Sequence, residues 1–337
     1  MLSNDLTRIP PAEPTRPAQD ARPAASARPI PTDPGRLSLL LARMDRLPAL
    51  LTPLLWAGGL VWWLAGRVDG LLLGLSFLAH AGALLFLHLW ITYQDYRRAQ
   101  GRAVPPGGIN GSGLDGLTIL RRRVVRPGTV RSMAFISASV SVMATLWLGL
   151  LVGWPLWFFG WLELFLFAIY AGPPMALGYR GWGLGELILF LGLGWLPMIA
   201  AFYAQTQHLD AVSLADMLPL ALLALLTGLG PAFVTWRRDW KLRKQTLVVL
   251  LGPERALILA IVIAVLAFTS LVVLVALGYL PIWSLLGLFG MPPLIRACAQ
   301  AYAQPYSRQA GRLVEEATSY AALLTTGLLL LSLWLAR

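Results

Sequence analysis

Residues 71–98 read LLLGLSFLAHAGALLFLHLWITYQDYRR. From Leu71 to Thr92 there is no acid, lysine or arginine. At about 1.5 Å per residue, a helix of that length crosses a ~30 Å hydrocarbon layer. The chain then changes character at once: Asp95, Arg97 and Arg98 follow directly on the apolar run. The stretch reads as a membrane-spanning helix that delivers an acid and two guanidinium groups to one face of the bilayer. His88, Thr92 and Asp95 fall at i, i+4 and i+7, on one side of that helix. A polar stripe leading down from a charged mouth is costly against lipid, so it is expected to face a protein-lined cavity.

The rest of the chain repeats the pattern. Of its 337 residues 57% are hydrophobic and only 13% charged, against roughly 25% charged in a soluble domain. Apolar runs place spans at about 48–65, 71–92, 132–152, 154–171, 185–205, 213–234, 256–277, 281–297 and 317–335. This is an all-α, polytopic bundle of about nine transmembrane helices. Residues 1–36 hold eight of the 24 prolines and no apolar run; they are expected to form a disordered tail, leaving residues 37–337 as the membrane domain. With the N-terminus in the cytoplasm, the chain ahead of span 1 and the cytoplasmic ends and loops after spans 2, 4, 6 and 8 hold 25 of the 27 Lys and Arg residues. Such asymmetry is what the positive-inside rule requires, and it points to a bacterial inner membrane protein. The net charge of +11 is therefore read as topology and phosphate attraction rather than nucleic-acid binding. A lone cysteine, Cys298, excludes an internal disulfide and a cysteine-rich metal site.

Span 6 ends as span 2 does. Thr235-Trp236-Arg237-Arg238-Asp239-Trp240-Lys241 echoes Thr92-Tyr93-Gln94-Asp95-Tyr96-Arg97. Asp95 and Asp239 are thus isolated acids among Arg97, Arg98, Arg102, Arg237, Arg238, Lys241, Arg243 and Lys244. An interfacial salt bridge is the plain alternative for each. The Gly107–Gly113 run offers backbone N–H groups to phosphate but fits no Walker or Rossmann pattern. His80, in mid-span, is read as a hydrogen-bonded packing residue and Glu163 as a carboxylate with a polar partner inside the bundle.

Three stretches carry a family likeness. His88–Gly113, HLWITYQDYRRAQGRAVPPGGINGSG, resembles the first Asp-rich loop of UbiA-type prenyltransferases, nearest the 1,4-dihydroxy-2-naphthoate branch. Ile169–Thr206 is similar to the same branch in its Tyr-x-x-Pro-Pro, Tyr-Arg-Gly, Gly-Glu-Leu and Tyr-x-Gln-Thr elements. Asp239–Gly252 resembles the end of the second loop, including Lys244-Gln245-Thr246-Leu247. The resemblance implies a UbiA-like fold and transfer of an isoprenyl group from a prenyl diphosphate to an aromatic acceptor or quinone precursor. It implies Mg²⁺ held by Asp95 and Asp239, and diphosphate contacts from Arg97, Arg98, Arg102, Arg180, Lys241 and Lys244. His88, Thr92, Tyr170, Tyr179, Glu186 and Thr235 become pocket candidates, although Glu186 also suits a helix N-terminus on dipole grounds alone. The chain departs from the family at Ile91, Thr92, Pro231 and Thr235, where Asn and Asp are expected. One acid per motif leaves a reduced or absent Mg²⁺ site, with bases taking part of the load. The rivals are a catalytically silent relative that binds isoprenoid or quinone, and a transporter, against which the spans lack a chain of paired ions.

Overall fold

The computed structural model describes residues 46–101, 115–181 and 183–337. The tail 1–36, the Gly107–Gly113 run and Arg102 lie outside the described residues. The membrane helices are α1 (Leu47–Ala65), α2 (Gly70–Ala99), α3 (Pro127–Val152), α4 (Pro155–Ala171), α5 (Leu184–Thr206), α6 (Ala211–Lys241), α7 (Leu247–Ala276), α8 (Ile282–Tyr302) and α9 (Arg308–Leu335). Eight are long and apolar enough to cross a membrane; α4 is a shorter apolar helix. No strand occurs among the described residues. The chain is an integral, multi-pass, all-α membrane protein, as its hydropathy requires.

The bundle presents large apolar side chains outward, including Phe135, Ile136, Trp147, Leu150 and Phe158. In water such a surface would be unstable; in lipid it is the solvated face. The central element is α6, of whose apolar window 72% is buried, against 28% for the peripheral α3. It packs on α1, α5, α7 and α9. The approach to α9 relies on glycine: a Cβ on Gly311 would lie 2.5 Å from the Phe233 carbonyl, and one on Gly230 would lie 3.0 Å from the Glu315 Cα. Small residues at such crossings let backbones meet where no hydrophobic effect drives them together.

Local chemistry sets the helix ends. Asp69 caps α2 by accepting from the Leu71 and Leu72 amides at 2.8 and 3.1 Å. Thr246 and Ser307 cap α7 and α9 in the same way. Inside the bundle, α5 carries a π-helical turn at Leu191–Trp195. Pro231 interrupts α6, leaving the Thr227 carbonyl without its helical donor. Both irregularities lie on the walls of the cavity described next, where such departures from regular helix commonly occur.

Candidate functional site

At the arginine-rich end, α2 and α6 continue past the apolar runs as helices to Ala99 and Lys241. Asp95 and Asp239 therefore ride on rigid helical backbone, and both are buried. A short helix, Gly116–Arg121, folds back over them. It can lie close because Gly116 has no side chain: a Cβ there would come within 2.6 Å of the Thr92 methyl. Its N-cap is Asp115, whose Oδ1 accepts from the Thr118 amide at 2.7 Å.

The two predicted acids meet at one ammonium. Lys244 Nζ lies 2.6 Å from Asp95 Oδ2 and 3.3 Å from Asp239 Oδ1. Backbone geometry aims this lysine. After α6, Arg243 takes a left-handed conformation with φ 56°; the Lys244 amide then bonds the Asp239 carbonyl at 2.9 Å, and the Gln245 amide bonds the Tyr179 carbonyl at 3.1 Å. Arg238 forms the second cationic centre. It ion-pairs with Asp115, and it lies 3.8 Å from Asp95 and 3.6 Å from Asp239. Three buried carboxylates and two buried cations thus share one site, in low dielectric where each contact counts strongly.

Hydroxyl groups complete the ring. Tyr179 donates to Asp95 Oδ1 at 3.0 Å and Thr235 donates to Asp239 Oδ2 at 2.8 Å. Burial, and then the neighbouring Asp95 carboxylate, hold the Tyr179 phenol well above its ordinary pKa of 10, so it stays a neutral donor. The Arg98 guanidinium stacks over the Tyr179 ring, 4.2 Å from its centroid.

Below the ring is a cavity. His88, Tyr170, Tyr179, Arg46, Arg238, Asp239 and Lys244 border it at the polar end, and Leu87, Ile91, Leu189, Leu193 and Ala232 line the rest. Arg46 is paired with Glu315 of α9. The arrangement suits an amphiphile with an anionic head and an apolar body: cations gather at one end and hydrocarbon walls lead away from them.

The remaining sequence candidates are placed as follows. Thr92 is buried against the Gly116–Arg121 helix. Tyr170 stacks edge-on against Tyr179, with centroids 6.4 Å apart. Glu186 accepts from the Leu247 amide at 2.9 Å, which makes it a cap for α7. Arg97, Arg180 and Lys241 are exposed, and Arg180 donates to the Pro174 carbonyl. The structure adds Asp115, Arg46 and Glu315, which sequence reading did not single out. It also selects Arg238 from its neighbour Arg237, whose side chain is exposed.

The sequence pattern of the UbiA prenyltransferase family matches residues 119–319, more than half of the chain. The chain belongs to the UbiA prenyltransferase family. Family membership makes it a prenyltransferase, an enzyme class that moves alkyl groups. It is 24% identical over 223 residues to the 1,4-dihydroxy-2-naphthoate octaprenyltransferase of Bacillus subtilis (strain 168), covering 64% of this chain and 68% of that protein. Its fold is similar to a structure described for digeranylgeranylglyceryl phosphate synthase, with TM-score 0.58, 14% identity, and coverage of 88% of this chain and 98% of the other. It is also similar to a UbiA homologue from Archaeoglobus fulgidus bound to GPP and Mg²⁺, with TM-score 0.57, 13% identity and coverage of 87% and 99%.

The residues present do not fit a Mg²⁺ ion as they stand. That ion needs near-octahedral oxygen ligands at about 2.0–2.1 Å. Here Lys244 occupies the gap between Asp95 and Asp239, and their other oxygens accept from Tyr179 and Thr235. Among the described residues no group of three or more His, Cys, Asp and Glu is disposed to hold a metal.

Proposed function

We propose that this UbiA-family member transfers an isoprenyl group from a prenyl diphosphate to an aromatic acceptor, as in quinone biosynthesis. The observation that carries the reading is the convergence of α2 and α6 on Lys244 and Arg238 at the head of a cavity with apolar walls. The arginine-rich end then lies at the inner face of the membrane with the N-terminus on the same side, because arginine resists translocation.

The chemistry sets what the site must do. The C1–O bond of an allylic diphosphate breaks with both electrons leaving on oxygen, which produces a carbocation and a highly charged anion. The acceptor ring carbon then forms a bond to C1 and loses its proton to the released diphosphate. Lys244 and Arg238, with Arg98 beside them, are placed to neutralise charge as it develops on the leaving group. Leu87, Ile91, Leu189 and Leu193 keep water from the cation. Asp95, Asp115 and Asp239 fix the two bases in position.

Membranes containing the full chain, given radiolabelled prenyl diphosphate and 1,4-dihydroxy-2-naphthoate or simpler phenols, should yield a labelled lipid-soluble product. A second reading, a silent binder of isoprenoid lipid, is favoured by Thr92 and Thr235 standing where the family has acids. Binding of prenyl diphosphate with no transfer to any acceptor would establish that reading instead. Failure to bind prenyl diphosphate at all would end both.

A further inference from the structure

The geometry points to Lys244 as a built-in substitute for a divalent cation: its ammonium sits where two carboxylates from α2 and α6 converge, so the site takes a diphosphate without a metal ion. The ligand named here rests on the proposed function; the seat of the ammonium does not.

Three of the four oxygens of the two converging acids accept hydrogen bonds, and the fourth, Asp239 Oδ1, makes ion-pair contacts alone. Asp95 Oδ1 accepts from Tyr179 at 3.0 Å and Oδ2 from Lys244 at 2.6 Å. Asp239 Oδ2 accepts from Thr235 at 2.8 Å, and Oδ1 faces Lys244 at 3.3 Å and Arg238 at 3.6 Å. The ring neighbours Thr92 and Thr235 bring hydroxyls and no charge. A divalent ion entering this gap would meet an ammonium and a guanidinium at close range in a buried site, an arrangement electrostatics forbids unless the lysine leaves.

Lysine departure is opposed by the backbone. Lys244 is buried, its amide is tied to Asp239 and the next amide to Tyr179, and its Nζ lies 4.9 Å from the centre of the Tyr179 ring. It is a fixed side chain at the end of a clamped turn, unlike the exposed Lys241 just before it in the chain. The site is also supplied with further positive charge. Arg98 stacks on Tyr179, Arg46 borders the cavity, and Arg308 lies within electrostatic reach of Asp115 and Arg312. An incoming diphosphate is therefore met by ammonium and guanidinium donors, which bind phosphate directly.

Two measurements on the detergent-solubilised full chain test this. In the first, Mn²⁺ is titrated without diphosphate and bound ion is read by electron paramagnetic resonance. Wild type and Lys244→Arg should take up no ion at the site. Lys244→Ala should gain one Mn²⁺ per chain, tighter than wild type by at least about tenfold, because two carboxylates are released; adding Asp95→Asn should abolish it. Lys244→Met, nearer the native side-chain length, replaces the alanine variant if that variant does not hold the fold. Stoichiometric Mn²⁺ on wild type, or none on the folded alanine or methionine variant, overturns the inference. In the second, geranyl diphosphate affinity is measured in EDTA and in millimolar Mg²⁺. Wild type should differ by less than about twofold, and Lys244→Ala should bind only with Mg²⁺. Loss of wild-type binding in EDTA alone overturns the inference, whereas loss in both buffers counts against the proposed function and leaves the Mn²⁺ result to judge Lys244.

Discussion

Replacing Arg238 by Met should destabilise the protein far more than replacing Asp115 by Asn, although the two residues form one ion pair. The site holds three acids and two bases. Arg238→Met leaves three carboxylates facing one ammonium, whereas Asp115→Asn leaves two facing two. At an effective dielectric near 20, the 3.6 and 3.8 Å separations from Asp239 and Asp95 correspond to attractions of about 4–5 kcal/mol each before desolvation. Burying the guanidinium offsets much of that, so the net loss should resemble that of a broken buried pair, ~3–5 kcal/mol. Asn caps helices about as well as Asp, so Asp115→Asn keeps the Gly116–Arg121 cap and removes only charge. Its cost should stay near ~1 kcal/mol, a charge-assisted hydrogen bond lost and acid–acid repulsion relieved. Reversible SDS unfolding followed by near-ultraviolet circular dichroism measures both. Equal costs, or an Arg238→Met cost below about 1 kcal/mol, would refute the charge accounting.

Tyr179→Phe removes the donor to Asp95 while keeping the ring under Arg98, and should cost ~1.5–3 kcal/mol at pH 8. The phenol's pKa is raised on folding, so the stability it contributes is complete below pH 10 and drains away as pH climbs from 10 toward the folded-state value. The gap between wild type and Tyr179→Phe in unfolding curves should therefore narrow above pH 10, and a gap that widens there contradicts the assignment. Arg243→Gly should stabilise the fold by about 1 kcal/mol, since it relieves a left-handed non-glycine residue; a large destabilisation would mean the Arg243 side chain has a role of its own. The His80–Glu163 pair, at 2.6 Å between α2 and α4, lies outside the cavity lining. Glu163→Gln should lower stability by ~1.5–3 kcal/mol while prenyl diphosphate affinity stays within about twofold, and a tenfold loss of affinity in folded protein would tie this pair to the site.

The number and order of the membrane helices were legible because hydropathy reports directly on burial in lipid. Their ends at the arginine-rich face were not. The apolar runs stop near Thr92 and Val234, yet α2 and α6 run on to Ala99 and Lys241, and α9 begins at Arg308 rather than 317. A helix keeps its hydrogen bonds in water, so polarity alone does not end it. Asp95, Asp239 and Lys244 stood out as charges next to apolar runs. Arg238 was separable from Arg237 by period: Thr227, Pro231, Thr235 and Arg238 fall on one helical face, and all four border the cavity. Asp115 is different. Its only local mark is a helix N-cap ahead of Gly-Leu-Thr, and its partner is 123 residues away. Long-range pairings of that kind emerge only when the fold brings the two segments together.

Arginines 237 and 238 offer the sharpest comparison, because they are adjacent in sequence and equal in charge, yet one is exposed and the other buried among the acids. Equilibrium binding of a radiolabelled prenyl diphosphate to folded Arg237→Gln and Arg238→Gln should show affinity within about twofold of wild type for the first and at least about tenfold weaker for the second. Equal losses in the two variants would mean that a diffuse basic surface, not the cavity between α2 and α6, receives the diphosphate.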